Sequence, residues 1–494
     1  MKLDAAVLIG IEERLTRGEI PEGALPVMLE AVRHLLRCRY RRDSCAGSTE
    51  RRGQRRGHHG KKKGHGRHGT ADYPGAKRVV VRHDEHESGD PCPENGCPGR
   101  LYDTKAPAKE VVLKAAPPIQ ATAYERQVLR CSGCQKTFTA PLPPGVGPTK
   151  YDPSVDAVLS VMRYALGMPH HRLAQWQAWA GVPLPASSQF ERVEAMANAV
   201  LPVFRHLEKL AANRPVLLSD DTGGRILSLQ AENRTRGPSE RTGIYTSGMV
   251  ARGLDDSLPS IVLYASGRRH AGENVDRLLR LRQAGMAEPI HLADASSMAP
   301  RSKRIGANCN THARRYFFEA SAAFPEQCAR VLDDFAAIYH NEAATDGMSP
   351  QARLEYHQEH SRPVMDALYQ WVEGQFRERL VEPNSRLGRA FSYLRNHWSG
   401  LTRFLEVPGV PLDNNQTEQE LKPVQRHRKN SLFFLNEAGA AVGDVLLSVI
   451  RTCTTNGVDP VRYLTVVATH ASAVARMPEA WLPWSYPQSP AALN

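Results

Sequence analysis

PVLLSDDT (215–222) and PIHLADAS (289–296) are short apolar runs that close on aspartate, at Asp220-Asp221 and at Asp294. Between them lie RILSLQ (225–230), GIYTSGMV (243–250) and SIVLYAS (260–266), then the helix-like ENVDRLLRLRQAG (273–285). Short apolar or alternating runs bounded by Gly, Pro and Asn or Asp read as strands. Three or four strands, a helix and a further strand predict a mixed α/β sheet. Acids at the carboxyl ends of neighbouring parallel strands open into one crevice, which would bring Asp220 and Asp294 together.

A third acid follows in PLDNNQTEQELKPV (411–424), where Asp413 or Asn414 is predicted to cap a helix that carries Glu418 one turn in. Three carboxylates around one point repel unless cations neutralise them, and hard divalent ions with oxygen ligands suit that task. Two Mg²⁺ (or Mn²⁺) ions about 3.5–4 Å apart are a known arrangement for phosphodiester chemistry. Spacing alone leaves open the alternative that these acids are polar strand ends.

Outward from this core, helices are predicted over Asp156–Gly167, His171–Ala180 and Ser188–Leu210, with Ser187 or Ser188 placed to cap the third. The last two, joined by GVPLPAS, follow the helix-turn-helix outline; plain helix packing is the other reading of the same pattern. Further helices are predicted up to about residue 406, one opened by Ser349-Pro350. Before the Pro/Gly linker of 141–153, Cys92 and Cys97 precede the Cys131-Ser-Gly-Cys134 pair, with 33 residues between Cys97 and Cys131. Two paired-Cys knuckles flanking a β-like stretch predict one structural Zn²⁺ in a ribbon, with unliganded or redox-active thiols as the alternative.

Lys plus Arg number 64 and Asp plus Glu 52, a net charge of +12, and residues 37–67 alone hold twelve Lys or Arg against Asp43 and Glu50. A segment of Arg, Lys, Gly and His this poor in apolar residues cannot bury a core. Its Arg51, Arg52, Arg55, Arg56, Lys61, Lys62 and Lys63 are candidates for sequence-independent phosphate contact. The near-neutral remainder excludes an evenly basic, histone-like protein. No run of 18 apolar residues offers a membrane span, the start is too soon interrupted by acids for a signal peptide, and nine Cys in 494 residues fit a reducing cytoplasm.

The run SRLGRAFSYLRNHWSGLTRFLEVPGVPLDNNQTEQELKPVQRHRKNSLFF (385–434) resembles the block around the third catalytic acid of the insertion sequence 66 family of transposases. RRHAGEN (268–274), HARRYF (312–317), GMPHHRLAQWQAWAGVPLPASS (167–188), TTNGVDPVRYL (454–464) and LPWSY (482–486) are similar to other blocks of that family, as is CSGC followed by APLPP. The resemblance implies an RNase H-like domain with Asp220, Asp294 and Glu418 as catalytic, Mg²⁺-holding acids, and a large helical insertion ahead of the last one. It further implies a bacterial, nucleoid-associated transposase that binds element ends, cleaves phosphodiesters there and transfers the 3′-hydroxyl to target DNA. Partners would be transposon-end and target DNA, a second copy of the chain or more on DNA, and small accessory proteins of the element. His312, Arg315, Arg428 and Lys429 are candidate DNA contacts, with structural helix polarity as the competing role.

The expected organisation is an N-terminal helical segment (1–36), the basic arm (37–75), a zinc ribbon (76–145) and a helix-turn-helix-like domain (150–212). The catalytic core follows in two parts, 213–311 and 409–470, around the helical insertion of 312–408, with a tail at 471–494. Two other functions compete. A covalent route would use Tyr463 as nucleophile with His312 and Arg315 on the phosphate. A zinc-containing DNA-binding protein without catalysis would share the arm, ribbon and helices and lack only the cleavage.

Overall fold

In a computed structural model, the structure describes residues 149–295 and 302–486 and, before them, 80, 85–95, 97–102, 118–130, 132, 137–144 and 146. The expected N-terminal helices, the basic arm from Arg51 to Lys63, and Cys131 and Cys134 lie outside the described residues. The chain divides into two units, Met1–Lys114 and Ala115–Asn494. In the first, residues 89–101 double back on themselves: Gly89 N donates to Leu101 O and Leu101 N to Asp90 O. Cys92 N donates to Gly99 O and Cys97 N to Glu94 O, so both thiols sit on one tight turn.

The second unit opens with a hairpin of β1 (Val128–Arg130) and β2 (Thr137–Thr139). Helix α1 (Pro153–Ser160) is capped by Asp152 and runs into a π turn at Val161–Ala165. Helices α2 (His170–Trp179) and α3 (Ala186–Ala212) follow. A five-stranded sheet is then built from β3 (Val216–Gly223), β4 (Tyr245–Arg252), β5 (Ile261–Gly267), β6 (Ile290–Ala293) and β7 (Ile305–Asn308) in the order β5-β4-β3-β6-β7. β3, β4 and β5 pair antiparallel, whereas β6 lies parallel to β3 and β7 parallel to β6. Val216, Leu217, Leu218 and Ser219 of β3 are all buried, as befits a central strand covered on both faces. Short helices α4 (Leu227–Glu232) and α5 (Ala271–Leu279) lie in the connections.

The helical stretch expected before the third acid comprises α6 (Asn310–Ala320), α7 (Pro325–Ala344), α8 (Pro350–His360), α9 (Arg362–Arg377), α10 (Arg386–Asn396) and the turn α11 (Trp398–Leu401). Ser349 caps α8 and Ser385 caps α10, each accepting from a backbone amide three residues on. Phe317 of α6, Trp371 and Phe376 of α9 and Phe391 of α10 pack their rings together, and this cluster fixes α10 beside α6. The chain then returns as α12 (Asn415–Ser431), α13 (Glu437–Thr455), α14 (Pro460–Thr469) and α15 (Ala471–Arg476). α13 crosses β5, and α1 and α3 pack on the closing helices, so helices 153–212 share one continuous core with the sheet.

Two local expectations are overturned. RILSLQ is not a strand: only Ile226 makes a β-bridge, to Phe434, and the chain then coils into α4. The amides of Leu227 and Ser228 are taken up by Phe434 O and Leu435 O, and burial of Ile226 and Leu229 follows a three-residue spacing. Nor does Ser187 or Ser188 cap α3, which begins at Ala186 with Pro185 at its cap position and no side-chain cap. Proline at that point fixes the turn into the helix without a hydroxyl. The fifth strand was not expected at all, because IGAN (305–308) is too short and too poor in apolar residues to read as one.

The C-terminal half of α12 is bound to the π turn. Arg426 donates to Ala165 O, Asn430 to Gly167 O and Arg163 to Ser431 Oγ. The last carbonyls of a helix have no partner within it, and Arg426 and Asn430 take up those of Ala165 and Gly167. Gly167 has φ +73°, and a Cβ there would come 3.2 Å from Asn430 Nδ2. His427 stacks between Tyr164 and Phe434, and burial, helped by Arg163 and His170, pulls its pKa down to about 3. Folded protein therefore keeps His427 neutral while unfolded chain takes up a proton below about pH 6.5, so stability is lost as pH falls from there toward 3. We expect the urea midpoint of His427→Phe to fall less between pH 7 and pH 5 than that of the wild type.

Candidate active site

Asp220 lies in β3 opposite Gly248 of β4, and Asp294 follows β6, the parallel neighbour of β3. Both open into a crevice of about 580 Å³ walled by two helices. From α6 come His312, Arg315, Tyr316 and Glu319, and from α12 Glu418, Leu421, Lys422 and Gln425. Each set repeats at i, i+3, i+4 and i+7, the spacing of one helix face. The close approach of α12 to β4 depends on Gly248, where a Cβ would meet Leu421 Cδ2 at 2.9 Å.

One atom each of Asp220, His312 and Glu418 lies within 4.8 Å of the other two. His312 Nε2 is 3.6 Å from Glu418 Oε1, and Arg315 Nη2 stands 3.5 Å from the same oxygen. Burial pushes the Asp220 carboxyl up to about 6, reinforced by Glu418 and Asp221 and opposed by the Asp221 amide and His312. Desolvated, mutually repelling carboxylates are the setting in which a divalent cation is favoured. Donor atoms around one ion at about 2.1 Å each sit no more than about 4.2 Å apart, so a small rotamer adjustment suffices. The donors present fit a divalent ion.

Asp294 lines the same crevice but is not part of that close group. Its Oδ1 accepts from Tyr393 Oη of α10 at 2.9 Å and from the Ala295 amide at 2.7 Å. Tyr393 in turn packs on Tyr316, ring centroids 4.6 Å apart, so the helical insertion reaches the site through this pair. Burial and the Asp294 carboxylate hold the Tyr393 phenol well above its usual pKa, which keeps it a donor.

Glu418 is positioned by the residues just before it, and of the two expected caps it is Asp413 that serves. The Asn414 side chain does not cap α12: its Nδ2 donates to Ser219 O, next to Asp220, while its own amide points to Cys309 Sγ ahead of α6. Asp413 takes the first helical amide, Asn415 N to Oδ1 at 3.0 Å, and its Oδ2 lies 3.4 Å from Thr311 Oγ1. Asn414 thus ties together the three elements that carry Asp220, His312 and Glu418, and it is fully buried.

The Asp221 carboxylate is committed elsewhere. It accepts from Ser247 Oγ at 2.6 Å and from Ala271 N at 2.8 Å, with His270 Nδ1 at 3.2 Å. It thereby anchors the start of α5 to the sheet. Asp221→Ala is expected to cost roughly 1–3 kcal/mol, since hydrogen-bonded neighbours lose their acceptor. Chemical unfolding and a Mn²⁺ titration together check this, the metal affinity staying near the wild-type value.

Of the other candidate residues, Arg428 is turned toward the end of β3, donating to Gly223 O, while Lys429 beside it is exposed. Tyr463 is buried, with its hydroxyl donating to Trp481 O at 2.6 Å, which removes it as a nucleophile. Cys92 and Cys97 are within the first unit, and both are free thiols. Lys422, Gln425, Tyr316 and Glu319 escaped the sequence reading, although their spacing from Glu418 and His312 would have placed them on the same helix faces. Tyr393 and Asn414–Ser219 carry no such local signal, because their partners are distant in sequence. Among the described residues no helix is long and apolar enough to cross a membrane.

Comparison with known proteins agrees with this architecture. Residues 149–442 match the family described as Transposase IS66 family. The chain is similar to the uncharacterized protein y4hP of Sinorhizobium fredii, 26% identical over 392 residues, which are 74% of this chain and 68% of that protein. It is also similar to the uncharacterized protein y4jD of the same organism, 25% identical over 413 residues, 79% of this chain and 77% of that one. The family match spans more than half of the chain and includes Asp220, Asp294, His312 and Glu418. On that match, the chain belongs to the IS66 family of transposases.

Proposed function

We propose that the crevice is the catalytic site of a DDE transposase with an RNase H-like sheet, acting on DNA at the ends of an insertion sequence. The observation that carries this reading is the convergence of Asp220, Asp294 and Glu418, from adjacent parallel strands and one crossing helix, on a single crevice. Asp220 and Glu418 would hold a divalent ion, Mg²⁺ or Mn²⁺, with Asp294 completing a second site. Bound there, such ions supply a Lewis acid for the attacking oxygen and charge compensation for the leaving one.

The chain's own residues do the rest. Arg315 and Lys422, on facing helices, offer cations to the non-bridging oxygens of the scissile phosphate. Tyr393 orients Asp294 from the insertion, and Asn414 holds the first and third acids in register. Cleavage would leave a 3′-hydroxyl that attacks target DNA at the same acids, without a protein-linked intermediate. End DNA would be held by Arg428 and Lys429 beside the crevice, by the helices of 153–212 and, more loosely, by the basic arm of Arg51–Lys63. Two copies acting on paired ends imply at least a dimer on DNA.

The test is transposition itself, in cells, of a marked element flanked by its own ends and supplied with this chain and the element's accessory proteins. Movement with the wild type and none with Asp220→Asn, Asp294→Asn or Glu418→Gln supports the reading. Movement that survives all three substitutions refutes it, and tight end binding without movement in any arm favours the non-catalytic DNA-binding protein.

A further inference from the structure

His312 entered as a candidate DNA contact, yet its ring lies beside the two carboxylates that converge most closely, Asp220 and Glu418. Its Nε2 is 3.6 Å from Glu418 Oε1, beyond hydrogen-bonding distance, and its Nδ1 is buried with no hydrogen-bond partner. His170 and His427 each also leave Nε2 without a partner, but the charge beside those rings is Arg163, and other buried histidines are hydrogen-bonded. His291 Nε2 is 2.8 Å from Ser219 Oγ. Both ring nitrogens of His357 are engaged, by Ser361 Oγ at 2.9 Å and Glu342 Oε2 at 2.8 Å. His312 is the ring held at a carboxylate pair with neither nitrogen committed.

Its position is tightly set. It is in the first turn of α6, whose start is fixed by the Asn414 amide on Cys309 Sγ and by the Asn310 side chain on Leu401 O and Leu412 O. The family pattern's second acid, Asp294, is meanwhile bonded to Tyr393. Two carboxylates also balance the charge of one divalent ion, and an imidazole adds a donor without adding charge, leaving Arg315 and Lys422 for the phosphate.

The geometry points to His312 as a direct nitrogen ligand of the first divalent ion, with Asp220 and Glu418, in a site that favours Mn²⁺ over Mg²⁺. Mg²⁺ demands oxygen ligands in near-ideal octahedral order, whereas affinity for nitrogen donors rises along the first transition row. Asp294, oriented by Tyr393, would then serve the second ion. This inference rests on the proposed metal-dependent function and adds the identity of one ligand and the ion it selects.

Electron spin echo spectroscopy of the full-length protein with one equivalent of Mn²⁺ reads the ligand directly, without DNA or turnover. The expected result is a ¹⁴N coupling of a coordinated imidazole in the wild type, absent in His312→Ala and in His312→Asp. Mn²⁺ affinity is expected to fall at least about tenfold in His312→Ala. In His312→Asp, where an oxygen donor replaces the ring, binding persists and the preference for Mn²⁺ over Mg²⁺ narrows. Mn²⁺ bound without nitrogen coupling, and lost in Glu418→Gln, overturns the role of His312 while leaving the carboxylate site standing. A nitrogen coupling that persists in His312→Ala overturns it too. No Mn²⁺ binding by the wild type overturns both this inference and the metal-dependent reading beneath it. Where His312→Ala fails to fold, the spectrum of His312→Asp decides the matter.

Discussion

Glu418→Gln is expected to lower cleavage of element-end DNA about a thousandfold while leaving the fold and DNA binding intact. A ligand to a catalytic divalent ion underwrites several kcal/mol of charge stabilisation, and about 4 kcal/mol corresponds to three powers of ten in rate. The fold should tolerate the change. Glu418 stands in the first turn of α12 with a partly exposed side chain, and its contacts are Arg315 at 3.5 Å and His312 at 3.6 Å. Partly exposed pairs of this kind contribute about 0–1 kcal/mol to stability. Glutamine preserves the shape and removes the charge that holds the ion. Thermal unfolding should match the wild type, while single-turnover cleavage on a labelled end falls to the background; a loss in rate that tracks a loss of folded protein would contradict this assignment.

Asn414→Ala is expected to be the most damaging change at a residue that touches neither ion nor DNA. The Asn414 side chain joins α12 to Ser219 O at 2.9 Å, and the backbone there meets Cys309 Sγ at 3.2 Å. Truncation strips Ser219 O of a partner in a fully buried place, at roughly 1–3 kcal/mol. It also frees the first turn of α12 to shift against β3, and a misplacement of about 1 Å costs on the order of a hundredfold in rate. Both effects should appear together: a lower denaturation midpoint, and cleavage reduced further than the loss of folded protein explains. Asn414→Asp, which keeps one carboxylate oxygen but loses the donor, should resemble Asn414→Ala, because a bare carboxylate facing Ser219 O repels it.

How much of this was legible in the sequence follows from the range of the interactions. β3, β4, β5 and β6 were readable because their apolar runs are local and end on Gly, Pro or Asp. Asp220 and Asp294 were readable as a pair because parallel strands carry their ends to the same edge. RILSLQ was misread because the partner that bends it, Phe434, is two hundred residues away, and alternation alone cannot distinguish a strand from a short helix that begins on a β-bridge. A cap at Asp413 or Asn414 was readable because capping is a local rule; that Asp413 serves and Asn414 turns to the sheet is set by Ser219, 195 residues away. His312 was noticed, but as a phosphate contact. Only the placement of α6 and α12 around one crevice shows that its ring faces two carboxylates.

Asp220, Asp294 and Glu418 are proposed to form one metal-dependent DNA-cleaving site. Mapping the strands of an end-labelled element at nucleotide resolution, with Mg²⁺, Mn²⁺ or chelator, tests it most directly. The predicted result is a nick at the element boundary that leaves a free 3′-hydroxyl, requires the divalent ion, and disappears in each of the three acid variants. A wild-type protein that binds the end tightly yet leaves both strands whole in every divalent metal, with its accessory proteins present, would contradict it.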